Sequence, residues 1–144
     1  MNPGQKTEVG DQEEKVMRID SAKDLEVYKK EYSLAMEIFE ISKTFPREER
    51  YSLTDQIRSS SRSVCLNLRE SWAKRRCEAH FVNKLINCDG ENTETDSSLD
   101  SVKDCGYICI EEHQRLTAEN REVGKMLGSM INNPDSFLAG PARV

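Results

Sequence analysis

Residues 53–76 read LTDQIRSSSRSVCLNLRESWAKRR, and this stretch decides the fold. Apolar or small residues recur in it at steps of three and four, which is the period of an amphipathic α-helix. These residues are Leu53, Ile57, Ser60, Val64, Leu68 and Trp72. The serine run at 59–63 leaves a serine-rich linker as an alternative, because serine is a poor helix former. We favour the helix because the period continues across the run, where small side chains would let another helix approach closely.

Three further segments show the same period. No proline lies between residues 47 and 133, and proline inside a helix costs about 3 kcal/mol, so long helices are permitted there. The first helix is predicted from a stripe formed by Leu25, Tyr28, Tyr32, Ala35, Met36 and Phe39. The third helix has a stripe that is polar in its middle, and the pair Asp89-Gly90 is a possible break in it.

The predicted helices span 24–44, 51–75, 77–104 and 110–131. Four helices joined by short turns predict an all-α protein with an antiparallel up-and-down four-helix bundle. The bundle domain is expected to occupy residues 21–132. Residues 1–20 are polar with little apolar periodicity, and we predict a disordered N-terminal arm. Residues 133–144, NPDSFLAGPARV, are predicted to form a C-terminal tail.

Composition narrows the class of protein. The chain has 144 residues, a formal net charge of −5, 36% apolar and 33% charged residues, which suits helices with charged outer faces. No stretch approaches the ~18 apolar residues of a membrane helix, and the N-terminus lacks the apolar run of a secretory signal. We therefore expect a cytoplasmic protein. Five cysteines, an odd number, favour reduced thiols over a disulfide framework.

The chain contains no motif that indicates catalysis. GxSxG, a P-loop, GxGxxG and HExxH are all absent, so we expect no enzyme and no cofactor. One constellation suggests zinc, since thiolates and imidazoles suit that metal. It consists of Cys105, Cys109 and His113, with His80 and Cys88 from the third helix. We predict no metal site, because the turn expected at Gly106-Tyr107 disrupts the spacing and no CxxC pair exists.

The distribution of charge along the chain is more informative about function than the catalytic or metal motifs. Residues 58–76 contain six basic residues and one acid, whereas residues 89–104 contain six acids and one base. The basic stretch is either a phosphate-binding surface, a face that pairs with the acidic one between helices or subunits, or a solvated face without a partner. The candidate nucleic-acid-binding residues are Arg58, Arg62, Arg69, Lys74, Arg75 and Arg76.

Four segments carry a resemblance to a known family. They are DLEVY at 24–28, FPREERYSLTDQIR at 45–58, LNLRES at 66–71 and GYI at 106–108. With these motifs the chain resembles the four-helix-bundle family of 23S rRNA intervening-sequence proteins, over about residues 24–131. It departs from the family pattern at Ser71, where the family has glycine, and at Cys65, where the family has proline.

The resemblance implies a bundle that often assembles into a homopentamer, with members encoded in rRNA intervening sequences or standing alone in bacterial genomes. A relative, the accessory variability protein of diversity-generating retroelements, binds a reverse transcriptase and nucleic acid through a basic surface. No enzymatic activity belongs to the family. We therefore expect a homo-oligomer, with a pentamer favoured, and RNA, DNA or a reverse-transcriptase-like protein as partner. The alternatives are a purely structural homo-oligomer with no nucleic-acid ligand, and a dimer formed through the polar stripe of the third helix.

Overall fold

A computed structural model describes residues 19–139 of the chain. Within this range the main elements are four α-helices, and no strand occurs among the described residues. The helices are α1 (Glu26–Ser42), α2 (Leu53–Ala73), α3 (Glu78–Asp104) and α4 (Ile110–Asn132). Short 3₁₀ turns lie at Ala22–Asp24, Arg47–Glu49 and Pro134–Phe137. The predicted arm at 1–20 falls outside the described residues apart from its last two.

The helices follow one another around a bundle, and α4 closes it against α1. Contacts between α2 and α3 show that these helices are antiparallel. Ser60 is bonded to Thr95 (2.8 Å between hydroxyl oxygens), whereas further along α2 Glu70 pairs with Lys84 (2.7 Å). The predicted all-α four-helix bundle is therefore confirmed.

The serine run is helical, and the linker alternative is wrong. Ser60 and Ser61 are buried, and the Ser61 hydroxyl donates to the carbonyl oxygen of Ile57 at 2.8 Å. Because these hydroxyls find partners inside the bundle, their burial leaves no unsatisfied donor.

The helix α3 runs unbroken through Asp89-Gly90, and its polar stripe is buried. Thr95 bonds to α2, as described above. The side-chain amide of Asn120 in α4 donates to the carbonyl oxygen of Asn92 at 3.0 Å. The polar stripe of α3 is therefore buried mainly by contacts with α2 and α4 of its own chain.

The beginning of the predicted tail packs on the bundle. Leu138 is buried, and the Phe137 ring stacks on Phe81 with 6.4 Å between centroids. The Ala139 amide donates to the carbonyl oxygen of Arg75 at 3.4 Å. Residues 134–139 thus pack on the bundle, because the apolar side chains of Phe137 and Leu138 join its core.

Two segments that carry the family resemblance meet at one end of the bundle. The rings of Phe45 and Tyr107 pack together with 5.6 Å between centroids. The Tyr107 hydroxyl donates to Glu49 at 2.9 Å, and Gly106 supplies the positive φ of 78° that the turn before α4 requires. Hydrogen bonds from Ser52 and then Tyr107 lower the pKa of Glu49. These motifs therefore stabilise the fold at the end of the bundle opposite the α2–α3 turn.

A carboxyl group lies in the core on α1. Glu31 is fully buried, and neither carboxyl oxygen has a hydrogen-bond partner among the described residues. Burial raises the pKa of Glu31 to about 8, so the group is protonated at neutral pH. The buried thiols Cys65 and Cys88 lie near it, and burial raises the pKa of each to about 12, which makes them unreactive as thiolates.

Glu31 makes the stability of the bundle fall as pH rises. Between pH 4.5 and pH 8 the unfolded chain loses the Glu31 proton while the folded chain keeps it, so the free energy of unfolding decreases through this window. The loss is on the order of 5 kcal/mol. We expect urea denaturation at pH 5 and pH 8 to show this decrease in the wild type, and Glu31→Leu to abolish it.

The control is Glu26→Gln, which removes an exposed carboxylate from the same helix and should leave the wild-type pH dependence unchanged. An identical pH dependence in wild type and Glu31→Leu would contradict a buried, protonated Glu31.

Substitutions at two glycines test the backbone conformation, which is helical at Gly90 and has a positive φ at Gly106. A Cβ at Gly90 would meet nothing within 4 Å, and the residue lies inside α3, so Gly90→Ala should raise the free energy of unfolding by about 0.5–1 kcal/mol. Gly106→Ala should lower it, because an L side chain is strained at the positive φ of this residue. Chemical denaturation of both variants checks the pair, and effects of the same sign would rule out this geometry.

Candidate nucleic-acid interface

The six basic residues singled out in the sequence do not form one patch. Arg58, Arg62 and Arg69 lie along α2, whereas Lys74, Arg75 and Arg76 lie in the turn between α2 and α3. At 1.5 Å per residue, Arg58 and Lys74 are about 24 Å apart along the helix. The structure therefore divides the candidate site into two surfaces.

Packing of α2 fixes where its arginines lie. Val64 and Leu68 are fully buried and define the inner side of the helix. Each residue turns an α-helix by about 100°, so Arg58, Arg62 and Arg69 lie roughly a quarter-turn or a little more from Leu68. The Arg58 Nε donates to the Ser42 hydroxyl of α1 at 2.7 Å. The arginines consequently follow the border between α2 and α1.

Helix α1 supplies aromatic and apolar side chains to this border. The Phe39 ring lies under two guanidinium groups, with 4.7 Å from its centroid to Arg58 and 5.5 Å to Arg62. Tyr32 stacks on Tyr28 with 6.2 Å between centroids. We call this surface the aromatic–arginine face. It comprises Tyr28, Tyr32, Met36, Phe39, Arg58, Arg62, Leu66 and Arg69.

Sequence reasoning placed Tyr32 and Met36 in the buried stripe of α1, and this was wrong. Tyr32 is 51% exposed and Met36 is exposed as well. The helix instead buries Val27, Glu31, Leu34, Ala35 and Ile38. Leu34 and Ile38, four residues apart, were the available signal for the true inner face.

The exposed arginines of the aromatic–arginine face form no ion pairs within the described part of the chain. Among residues 19–139, Arg62 and Arg69 have no carboxylate within ion-pair distance, and Leu66 is 62% exposed. Arg58 is held by its bond to α1 and by the Phe39 ring. The face thus offers two free guanidinium groups beside exposed apolar surface.

The second surface is the turn cluster, which comprises Lys74, Arg75 and Arg76. The Arg75 guanidinium lies over the Trp72 ring, 4.2 Å from its centroid, and donates to the Trp72 carbonyl oxygen at 2.9 Å. Lys74 and Arg76 are exposed, and neither forms an ion pair in the described part of the chain, although Lys74 contributes to lowering the pKa of the neighbouring Glu70 carboxyl. Arg75 is therefore a packing residue, while its two neighbours are free to bind an anion.

The acidic residues of α3 do not pair with the arginines of α2 in the same chain. The ion pair that joins the two helices has the opposite polarity, with Glu70 on α2 and Lys84 on α3, and Lys84 lowers the pKa of Glu70. Asp100 lies on the side of α3 that borders α4, where it contacts His113 Nε2 at 2.7 Å. Pairing of the two charged stretches between neighbouring helices of one chain is thus excluded for the described residues.

The zinc candidates are dispersed. Cys88 is buried, Cys105 and Cys109 are exposed, and His113 contacts Asp100. Across residues 19–139 no three His, Cys, Asp or Glu side chains lie close enough together to hold a metal ion. The same part of the chain contains no helix long and apolar enough to cross a membrane.

Comparisons with known proteins agree with the family motifs. The family model described as 23S rRNA-intervening sequence protein matches residues 23–129. A solved structure of a protein of unknown function, from the S23 ribosomal protein family of Bacteroides thetaiotaomicron, is 28% identical with a TM-score of 0.68; the match covers 74% of this chain and 96% of that one. No curated protein matches the chain. Since the family model covers most of the bundle, the chain belongs to the family of 23S rRNA-intervening sequence proteins.

Proposed function

We propose that this chain is a non-enzymatic, homo-oligomeric binding protein of the cytoplasm. It engages RNA or single-stranded DNA, or a partner that processes nucleic acid, through the basic residues at the end of α2. The observation that carries the proposal is the turn cluster, where Lys74 and Arg76 are exposed and form no ion pair among the described residues. Unpaired cations on an exposed turn are free to contact phosphates.

The total charge of the chain supports a local site rather than a general attraction. At a net charge of −5, the protein as a whole repels nucleic acid. Binding must therefore depend on a basic patch away from the acidic second half of α3. The turn cluster meets this condition because it lies at the opposite end of α3, with His80 exposed in the first turn of that helix.

Oligomerisation is supported by the aromatic–arginine face. Tyrosine, methionine and arginine are enriched in the cores of protein interfaces, and Tyr32, Met36 and Arg62 are exposed together here. The family resemblance implies a homopentamer. A closed ring repeats the turn cluster on each copy, so a single nucleic-acid strand would meet several weak sites, which raises its overall affinity.

A structural homo-oligomer with no nucleic-acid ligand is the second candidate. It is favoured by the exposed apolar residues of the same face, since burial of Tyr32, Met36 and Leu66 is sufficient reason for association without any ligand. The two candidates differ in whether the turn cluster binds anything.

The salt dependence of binding separates the two candidates. Each phosphate neutralised on a single strand contributes a slope of about −0.7 in log K against log salt. Replacing Lys74 and Arg76 by alanine should therefore weaken binding to single-stranded RNA and flatten the slope by up to about 1.4 units. Arg75 is kept because it packs on Trp72. Fluorescence anisotropy at several salt concentrations gives the measurement.

The matched control is Arg47→Ala with Arg50→Ala, which removes the same charge from exposed residues at the other end of the bundle. This variant should retain the wild-type slope. Equal losses in both double variants, or no salt-sensitive binding by the wild type, would favour the structural homo-oligomer.

Association itself is directly measurable. We expect sedimentation velocity at micromolar concentration to show a single closed oligomer, with the mass of a pentamer as the family resemblance implies. A monomer under these conditions would exclude both candidates in their oligomeric form.

A further inference from the structure

We propose that the aromatic–arginine face of one copy docks into a cleft between α3 and α4 of the next copy. Arg62 and Arg69 of one copy then meet Asp96 and Asp89 of the next. The inference rests on the proposed homo-oligomer and names the two surfaces that form its interface.

The receiving surface is the α3–α4 cleft, a groove of about 370 Å³. Asp89, Asn92 and Asp96 line its α3 side, and Asn120 and Gly124 line its α4 side. At the floor of the groove Gly124 lets the Asn92 side chain approach α4 closely, since a Cβ there would lie 3.0 Å from the Asn92 amide nitrogen. Its volume is sufficient for one or two inserted side chains.

Two buried amides in the cleft lack a hydrogen-bond donor. Asn92 is 7% exposed and Asn120 is 1% exposed, and the side-chain oxygen of each has no partner among the described residues. Leaving such an acceptor unsatisfied costs roughly 1–3 kcal/mol. The Asn92 amide forms no hydrogen bond within residues 19–139, so it is free to turn toward an incoming donor. A guanidinium group presents five N–H donors and suits a site of carbonyl and carboxylate oxygens.

The charged groups of the two surfaces have the same spacing. Arg62 and Arg69 are seven residues apart on α2, and Asp89 and Asp96 are seven residues apart on α3, which is two helical turns or about 10 Å in each case. None of the four has an ion-pair partner in the described part of its own chain. Both arginines can therefore pair in a single docked position.

The exposed Leu66 fits the same position. It lies between Arg62 and Arg69 at helical steps of four and three, just as Asn92 lies between Asp89 and Asp96. When the two charged pairs form, Leu66 lies over Asn92 in the middle of the α3–α4 cleft, so the Asn92 side-chain oxygen gains a donor by turning toward one of the two flanking guanidinium groups. Burial of a leucine that is 62% exposed in the single chain adds apolar stabilisation to the ion pairs.

The order of the helices provides the required orientation. Because the helices follow one another around the bundle, the α1–α2 border and the α3–α4 cleft lie on opposite sides. Two copies placed side by side with parallel axes bring α2 of one against α3 of the next, antiparallel, and α1 against α4. Opposite faces of one chain that fit each other produce a head-to-tail contact, which closes into a ring when the rotation permits.

Pairing the charged residues requires a small axial shift between neighbouring copies. Within one chain Ser60 is level with Thr95, so Arg62 is level with about residue 93 of its own α3. Pairing Arg62 with Asp96 of the next copy shifts the copies by about three residues, or roughly 4.5 Å. A small inclination of each bundle to the ring axis supplies this shift.

The α4 side of the cleft carries Arg121 and Lys125, which repel incoming arginines. Antiparallel docking avoids this repulsion, because it places α1 of the incoming copy, with Tyr32 and Met36, over α4. The Tyr32 ring and hydroxyl are suitable partners for these cations through cation–π contact and hydrogen bonding. The two sides of the cleft thus match the two helices of the face.

Charge reversal tests the interface. R62E/R69E and D89R/D96R should each convert the oligomer to a monomer, measured by light scattering after size exclusion and by sedimentation, with helicity unchanged by circular dichroism. The quadruple variant, which exchanges the charges across the interface, should assemble again. Mixing the two double variants should also restore association between unlike copies, although a closed ring of five would keep one junction between like charges. R47E/R50E, an equal charge change on exposed residues at the other end of the bundle, should leave the oligomer intact.

Each outcome is decisive. An R62E/R69E variant that remains oligomeric overturns the inference while the homo-oligomer stands. Failure of both the quadruple variant and the mixture to associate, when the folded state is retained, also overturns it. A wild type that is monomeric removes the proposed homo-oligomer together with the interface.

Discussion

Burial of one side of α2 is the constraint on which the rest of the structure depends. Val64 and Leu68 are fully buried, and the buried serines at 60, 61 and 71 provide small side chains where α2 meets its neighbours. Once this side faces inward, the geometry of the helix places Arg62 and Arg69 beside α1, and leaves Lys74 and Arg76 in the turn that follows. The packing of this one side of α2 therefore positions both the aromatic–arginine face and the turn cluster, and it also keeps them apart.

Much of the fold was predictable, because periodicity and proline placement depend on local sequence. The bounds of α3 and α4 were predicted to within one residue, and α2 to within two. The inner face of α1 was not predictable, because two stripes compete in its sequence. Leu34 and Ile38 lie on one of them beside the charged Glu31, while Tyr32 and Met36 lie on the other. A search for apolar residues passes over the stripe with Leu34 and Ile38, because that stripe also contains Glu31. The protein nevertheless buries Glu31, since the carboxyl group is protonated.

The candidate site was predictable in composition but not in arrangement. The sequence shows six basic residues in one stretch, yet it does not show which of them have partners within the chain. Arg58 bonds to Ser42, sixteen residues earlier, and Arg75 packs on Trp72, so both contribute to the fold. The cleft with its unpaired Asn92 and Asn120 depends on how α3 and α4 pack, which no local pattern reveals. We propose a division of roles, in which one basic surface associates copies and the other binds phosphate.

Hydroxyl-radical footprinting of the monomeric R62E/R69E variant and of the assembled wild type, the latter with and without single-stranded RNA, measures this division most directly. Assembly should lower the oxidation of Tyr32, Met36 and Leu66, and RNA should then lower that of His80 beside the turn cluster without further change on the aromatic–arginine face. Tyr51, 86% exposed at the other end of the bundle, serves as the internal reference. RNA protection of Tyr32 and Met36 with His80 unchanged would contradict the division, because it would place the nucleic acid on the surface assigned to the next copy.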